Sequence, residues 1–135
     1  MKVLVIDGQG GGLGRQLVTA VKARYPEAEV LAVGTNSAAT NAMLKAGADQ
    51  AATGENSVAV ACRKADAIMG PVGIVIADSM LGEITPRMAV SIGQSPAKRI
   101  LIPVNLCDNI VVGVADLTMA KRVESAVEAL ADLMD

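Results

Sequence analysis

Val3-Leu4-Val5-Ile6-Asp7-Gly8-Gln9-Gly10-Gly11-Gly12-Leu13-Gly14 joins an apolar run to a glycine loop that opens a helical pattern. The run from Lys2 to Ile6 has no polar alternation, as expected of a strand buried on both faces of a parallel sheet. Leu13, Leu17, Ala20 and Val21 then recur at helical spacing until Pro26. Five glycines in the seven positions from Gly8 to Gly14 let the backbone come close to a bound group, and the helix start offers free N–H groups to an anion such as phosphate. One turn glycine would suffice for a strand-to-helix connection that binds nothing. Five favour a ligand site, with Asp7, Gly8, Gln9, Gly10, Gly11, Gly12, Leu13 and Gly14 as its candidate residues.

Outward from this loop the alternation continues. Val30 to Val33 is a second strand ending in Gly34-Thr35-Asn36, after which Asn36 or Ser37 can cap a helix that carries Met43 and Leu44 and stops at Gly47. Asp49 to Thr53 reads as a short third strand, followed by a small helix reaching Lys64. Asp66 to Met69 starts another strand. Ile74 to Ala77, beyond the Gly70-Pro71-Val72-Gly73 interruption, fits strand or buried helix equally well. Thr85-Pro86 starts a helix, with a capping hydroxyl and proline at the first helical position. Lys98 to Val104 is a further strand, expected to pair with the Ile110 to Val114 run as a hairpin. From Thr118 a long amphipathic helix places Val123, Val127, Leu130 and Met134 on one side. The expected fold is a single α/β domain over residues 1–135: a three-layer, Rossmann-like, doubly wound and mainly parallel sheet with a C-terminal hairpin and a long terminal helix. Ligands of such sheets sit outside the carboxyl ends of the strands, so Thr35 and Asn36 join the loop as candidate binding residues, near a ribose or adenine.

Composition narrows the chemistry. With 135 residues there is room for one sizeable core, and because Tyr25 is the only aromatic it must be built from Val, Ile, Leu, Ala and Met. A formal charge of −2 with scattered Lys and Arg leaves no footprint for nucleic acid or an anionic membrane. The longest apolar stretch, Gly70 to Ala77, is far below the roughly 20 residues a membrane span needs. Met1-Lys2-Val3 leads directly into a strand without an export signal, so a cytoplasmic protein with Cys62 and Cys107 reduced is expected. The chain contains no histidine, which excludes Ser-His-Asp and Cys-His catalysis and histidine metal sites.

The loop lacks Gly-x-Gly-x-x-Gly and is not a Walker A sequence. Its Gly8-x-x-x-Gly12-x-Gly14 spacing resembles the cofactor loops of the short-chain dehydrogenase/reductase superfamily. That resemblance covers roughly the first third of the chain and implies a dinucleotide pyrophosphate at the loop, with NAD or NADP as the leading cofactors. The second strand, however, ends in Thr35-Asn36 where an acid would hold the ribose of NAD, and no arginine follows for a 2′-phosphate. The superfamily's Tyr-x-x-x-Lys pair is absent, since Glu29 follows Tyr25 at that spacing, so its catalytic mechanism does not carry over. A phosphoreceiver is excluded because Asp7 stands alone and Ile102, not lysine, precedes Pro103.

Three further groups are weighed as catalytic candidates. Asp78 and Glu83 can act as general base and acid if the site desolvates one of them, although the plainer reading has Asp78 capping a turn and Glu83 in solvent. Cys107 is a possible nucleophile with no histidine or nearby lysine to support its thiolate, and a packed thiol is the plainer reading. Taken whole, Ile6 to Gly12, Gly34 to Ser37, Lys45 to Asp49, Thr53 to Asn56, Ser79 to Pro86 and Ile102 to Asn105 resemble a family of small bacterial proteins defined only as a domain of unknown function. Two functional readings follow. One is a nucleotide- or dinucleotide-binding protein; the other is a non-enzymatic, homo-oligomeric interaction module whose partner surface is the Ile110 to Val114 run and the C-terminal helix. A homo-oligomer fits both.

Overall fold

Apolar strands without polar alternation must be covered on both faces, and the chain does this with helices above and below one sheet. A computed structural model describes residues 1–104, 106 and 108–133. Its five strands are β1 (Lys2–Asp7), β2 (Glu29–Gly34), β3 (Gln50–Thr53), β4 (Ala67–Pro71) and β5 (Lys98–Ile102). They pair in the order β3-β2-β1-β4-β5, and every pairing is parallel. The helices are α1 (Gly12–Arg24), α2 (Ser37–Lys45), α3 (Glu55–Ala61), α4 (Pro86–Gly93) and α5 (Met119–Ala129), the last extended by a 3-10 turn, Leu130–Leu133.

The side-chain period of two divides the core into two layers. Val3, Val5, Val30, Ala32 and Met69 meet Leu17, Val18 and Val21 of α1, Met43 of α2 and Val123, Val127 and Leu130 at the C-terminus. Leu4, Ile6, Val33 and Ile68 face the other way, onto Val58 of α3, Cys62 at its end, and Met88 and Ile92 of α4. The doubly wound architecture expected from the sequence is therefore present. Because the chain leaves β1 toward β2 and later returns beside β1 as β4, the strand order reverses between β1 and β4. The crevice outside their carboxyl ends is the usual ligand position in such sheets.

Local signals fix the helix starts. Asn36, Thr85 and Thr118 each accept a hydrogen bond from the backbone N–H three residues on, with Pro86 opening α4. Two expectations change. Val72–Val75 is a 3-10 turn with Ile74 buried, which settles the segment after β4 as neither strand nor α-helix. The C-terminal hairpin is absent: β5 pairs with β4, and residues 108–118 form no strand. Asp108 (φ 64°) and Gly113 (φ 77°) bend the backbone out of the extended region on both sides of the β-branched run Ile110 to Val112. Among the described residues no helix is long and apolar enough to cross a membrane.

Candidate functional site

Asp7 ends β1 with its side chain turned into the loop it precedes. It is 4% exposed, and its carboxylate accepts the Gly8 N–H at 2.8 Å and the Gly14 N–H at 2.7 Å. Gly14 is the third residue of α1, whose cap, Gly11, has no side chain to offer. Asp7 thus supplies from the strand the capping acceptor that the loop lacks. Burial raises its pKa above the ordinary value; the two N–H bonds oppose that, and the nearby Glu83 charge adds to it.

The glycines divide into two sets. A Cβ on Gly8 would lie 2.7 Å from the Met80 sulfur and 2.9 Å from a Glu83 carboxylate oxygen, and one on Gly14 would lie 2.6 Å from the Met43 sulfur. Gly11, at φ 73°, has the Cα of Ala39 2.8 Å from its Cβ position. These three are required by the protein's own packing. Gly10 and Gly12 have no atom within 4 Å of a Cβ and no left-handed backbone. Their open faces adjoin three backbone N–H groups, of Gly10, Gly12 and Leu13, that have no protein acceptor among the described residues.

The β4–α4 connection folds across the end of β1. Asp78, Met80, Leu81 and Gly82 all have positive φ, so the chain turns sharply; Asp78 N–H donates to Ile84 at 2.7 Å and the Gly82 N–H to Asp78 at 3.1 Å. The Ser79 hydroxyl donates to the Gly73 carbonyl, Met80 is tucked onto Gly8, and Leu81 at the tip is 99% exposed. Asp78 therefore acts through its backbone, with its side chain exposed.

Glu83 is held rather than solvated. Its Oε1 accepts the Gln9 N–H at 2.8 Å, the Thr35 hydroxyl at 2.6 Å and the Asn36 Nδ2 at 2.9 Å; that same amide group also donates to the Gln9 carbonyl at 2.9 Å. Burial pushes the Glu83 carboxyl up, and the bonds from Thr35, Gln9 and Asn36 outweigh this and hold it below the ordinary value. Glu83, a catalytic candidate from the sequence, and Thr35 and Asn36, binding candidates, form one hydrogen-bonded cluster in the fold. Neighbouring Thr85 donates to Glu55 at 2.5 Å, tying the start of α4 to α3 on the same rim. Cys107 and Asn105 lie outside the described residues. Cys62 is buried, and burial pushes its thiol up to about 11, which makes it inert. A cavity of about 360 Å³ lies away from the loop, with Leu31, Val33, Ala52, Val60, Lys2 and Lys64 among its lining residues.

The profile of the domain of unknown function DUF3842 matches residues 2–135. The chain belongs to this family. No curated protein matches this DUF3842 chain. Among solved structures it is similar to AibC, with 21% identity and a TM-score of 0.52, covering 97% of this chain and 41% of AibC. It is also similar to the dodecameric FMN-dependent UbiX-like decarboxylase from Escherichia coli O157:H7, with 18% identity and a TM-score of 0.47, covering 97% of this chain and 76% of that one. At these identities the likeness concerns the fold of the DUF3842 chain alone.

Proposed function

We propose that this DUF3842 protein binds a nucleotide-type ligand whose phosphate sits on the N–H groups of Gly10, Gly12 and Leu13. The observation that carries this reading is the pairing of those three unpartnered donors with two glycines whose missing Cβ atoms leave open space. An anion there gains both hydrogen bonds and the positive end of α1. Asp7, Gly8, Gly11 and Gly14 build the loop and hold its shape, while Gly10, Gly12 and Leu13 make the contact. Gln9, Thr35 and Asn36 lie beside it toward β2. NAD and NADP are the cofactors to try first, and FMN, AMP, ATP, coenzyme A and S-adenosylmethionine complete the set.

Gly12→Leu tests the reading cleanly, because the space and backbone at Gly12 accept a side chain. A thermal-shift panel with these ligands is expected to give stabilisation in the wild type that disappears in Gly12→Leu, whose own melting temperature stays close to wild type. Equal ligand shifts in both proteins refute a phosphate at the loop.

A second reading, a homo-oligomeric interaction module, is favoured by one observation: residues 108–118 are exposed throughout, with Ile110 at 91% and Val112 at 88%.

A further inference from the structure

The inference that follows rests on the nucleotide reading and concerns the sugar of such a ligand. Glu83 uses only one of its carboxylate oxygens within the protein. All three donors converge on Oε1, and Oε2 has no partner among the described residues and is not shut away from solvent. Three bonds from three different places, the Gln9 backbone in the loop and the Thr35 and Asn36 side chains after β2, hold Oε1 in position. Such convergence leaves Oε2 as an acceptor on a carboxylate already held at its other oxygen. It stands one residue from the free Gly10 N–H, because Gln9 is itself a donor to Glu83.

We propose that Oε2 of Glu83 accepts hydrogen bonds from the ribose hydroxyls of a nucleotide seated on the glycine loop. The site then takes ribonucleotides with an unsubstituted 2′-hydroxyl and rejects those carrying a 2′-phosphate. In dinucleotide-binding sheets an acid near the end of β2 holds the ribose diol. Here β2 ends in Gly34, and Thr35-Asn36 follows without an acid. The carboxylate instead arrives from the β4–α4 connection and is pinned against those two side chains. Its chemistry is that of the missing acid: two hydroxyl donors match a carboxylate oxygen, whereas a 2′-phosphate brings a second anion against it. Among the described residues no lysine or arginine bonds to Glu83, so no cation offsets its charge toward a second anion.

The test is calorimetric titration of the wild-type protein and Glu83→Gln with NAD and with NADP. The wild type is expected to bind NAD at least about tenfold more tightly than NADP, since a hydrogen bond to a charged group is worth that much or more. In Glu83→Gln the ratio is expected to fall toward one, by a loss for NAD together with a gain for NADP. Equal wild-type affinities, or a ratio unchanged by the substitution, overturn the ribose assignment and leave phosphate binding at the loop intact. Tighter binding of both dinucleotides by Glu83→Gln overturns it too, because Glu83 then occludes the site. If neither dinucleotide nor AMP binds at millimolar concentration, the loop reading falls and the ribose assignment with it. Should Glu83→Gln fail to fold, the wild-type ratio alone decides.

Discussion

Two carboxylates beside one loop titrate in opposite senses. Glu83 is held below its ordinary pKa by the Thr35, Gln9 and Asn36 donors, so the stability it contributes is present above the ordinary value of 4.5 and is lost as pH falls through the lower, folded value. Asp7 is raised by burial above 3.8, so its contribution is complete below that value and declines as pH rises through the folded one. Glu83→Ala is expected to cost about 1–3 kcal/mol at pH 7, because three donors lose a charged acceptor, and to narrow that deficit in acid. Urea unfolding of both proteins from pH 3 to pH 7 checks this; a deficit that widens in acid would contradict the assignment. For Asp7→Asn the trend is reversed, with the wild type's advantage greatest in acid. At Cys62 the expectation is kinetic. A buried thiol pushed up to about 11 reacts with iodoacetamide at pH 8 only after unfolding, which peptide-resolved mass spectrometry can separate from any reaction at Cys107.

Whether an element could be read beforehand depended on how local its cause is. Asn36, Thr85-Pro86 and Thr118 announce helix starts because the capping oxygen and the N–H it serves are three residues apart. The turn after β4 is different. Its shape is set by Met80 seating on Gly8 and by Glu83 reaching Gln9, Thr35 and Asn36, contacts across 47 to 74 residues of chain. No periodicity in residues 74–83 encodes them. The turn places Leu81 at φ 57° with its side chain 99% exposed, so a left-handed backbone is imposed on a residue that has little side-chain burial to lose. Leu81→Gly is therefore expected to raise stability by about 0.5–1 kcal/mol, and Leu81→Val to lower it, since β-branching disfavours that backbone. Thermal melts of the two variants decide; the same sign for both would mean that the φ value is not what matters.

At the scale of the molecule, the alternation of strands and helices made a parallel, doubly wound sheet legible, and with it the rim on which the candidate groups lie. The meeting of β1 with β4 was not legible, because it depends on a return across the sheet rather than on any one segment. The β-branched run after β5 misled for the opposite reason: Ile110, Val111 and Val112 have strand propensity, but residues 108–118 form no strand and leave this apolar stretch in water. Exposed apolar surface of that kind is costly for a lone molecule and useful between molecules. If copies of the chain associate through it, the melting temperature rises with protein concentration, because association stabilises the folded state by mass action. Ile110→Asp combined with Val112→Asp removes the apolar surface at two positions that are 91% and 88% exposed, so the monomer's own stability is expected to change by no more than about 0.5 kcal/mol. Sedimentation of wild type and double variant across a hundredfold concentration range is then expected to show assembly in the former and monomer in the latter. Assembly that survives both substitutions moves the interface to another face, whereas a wild type that stays monomeric throughout removes self-association as the reason for the exposed run and leaves the glycine loop to account for the protein's function.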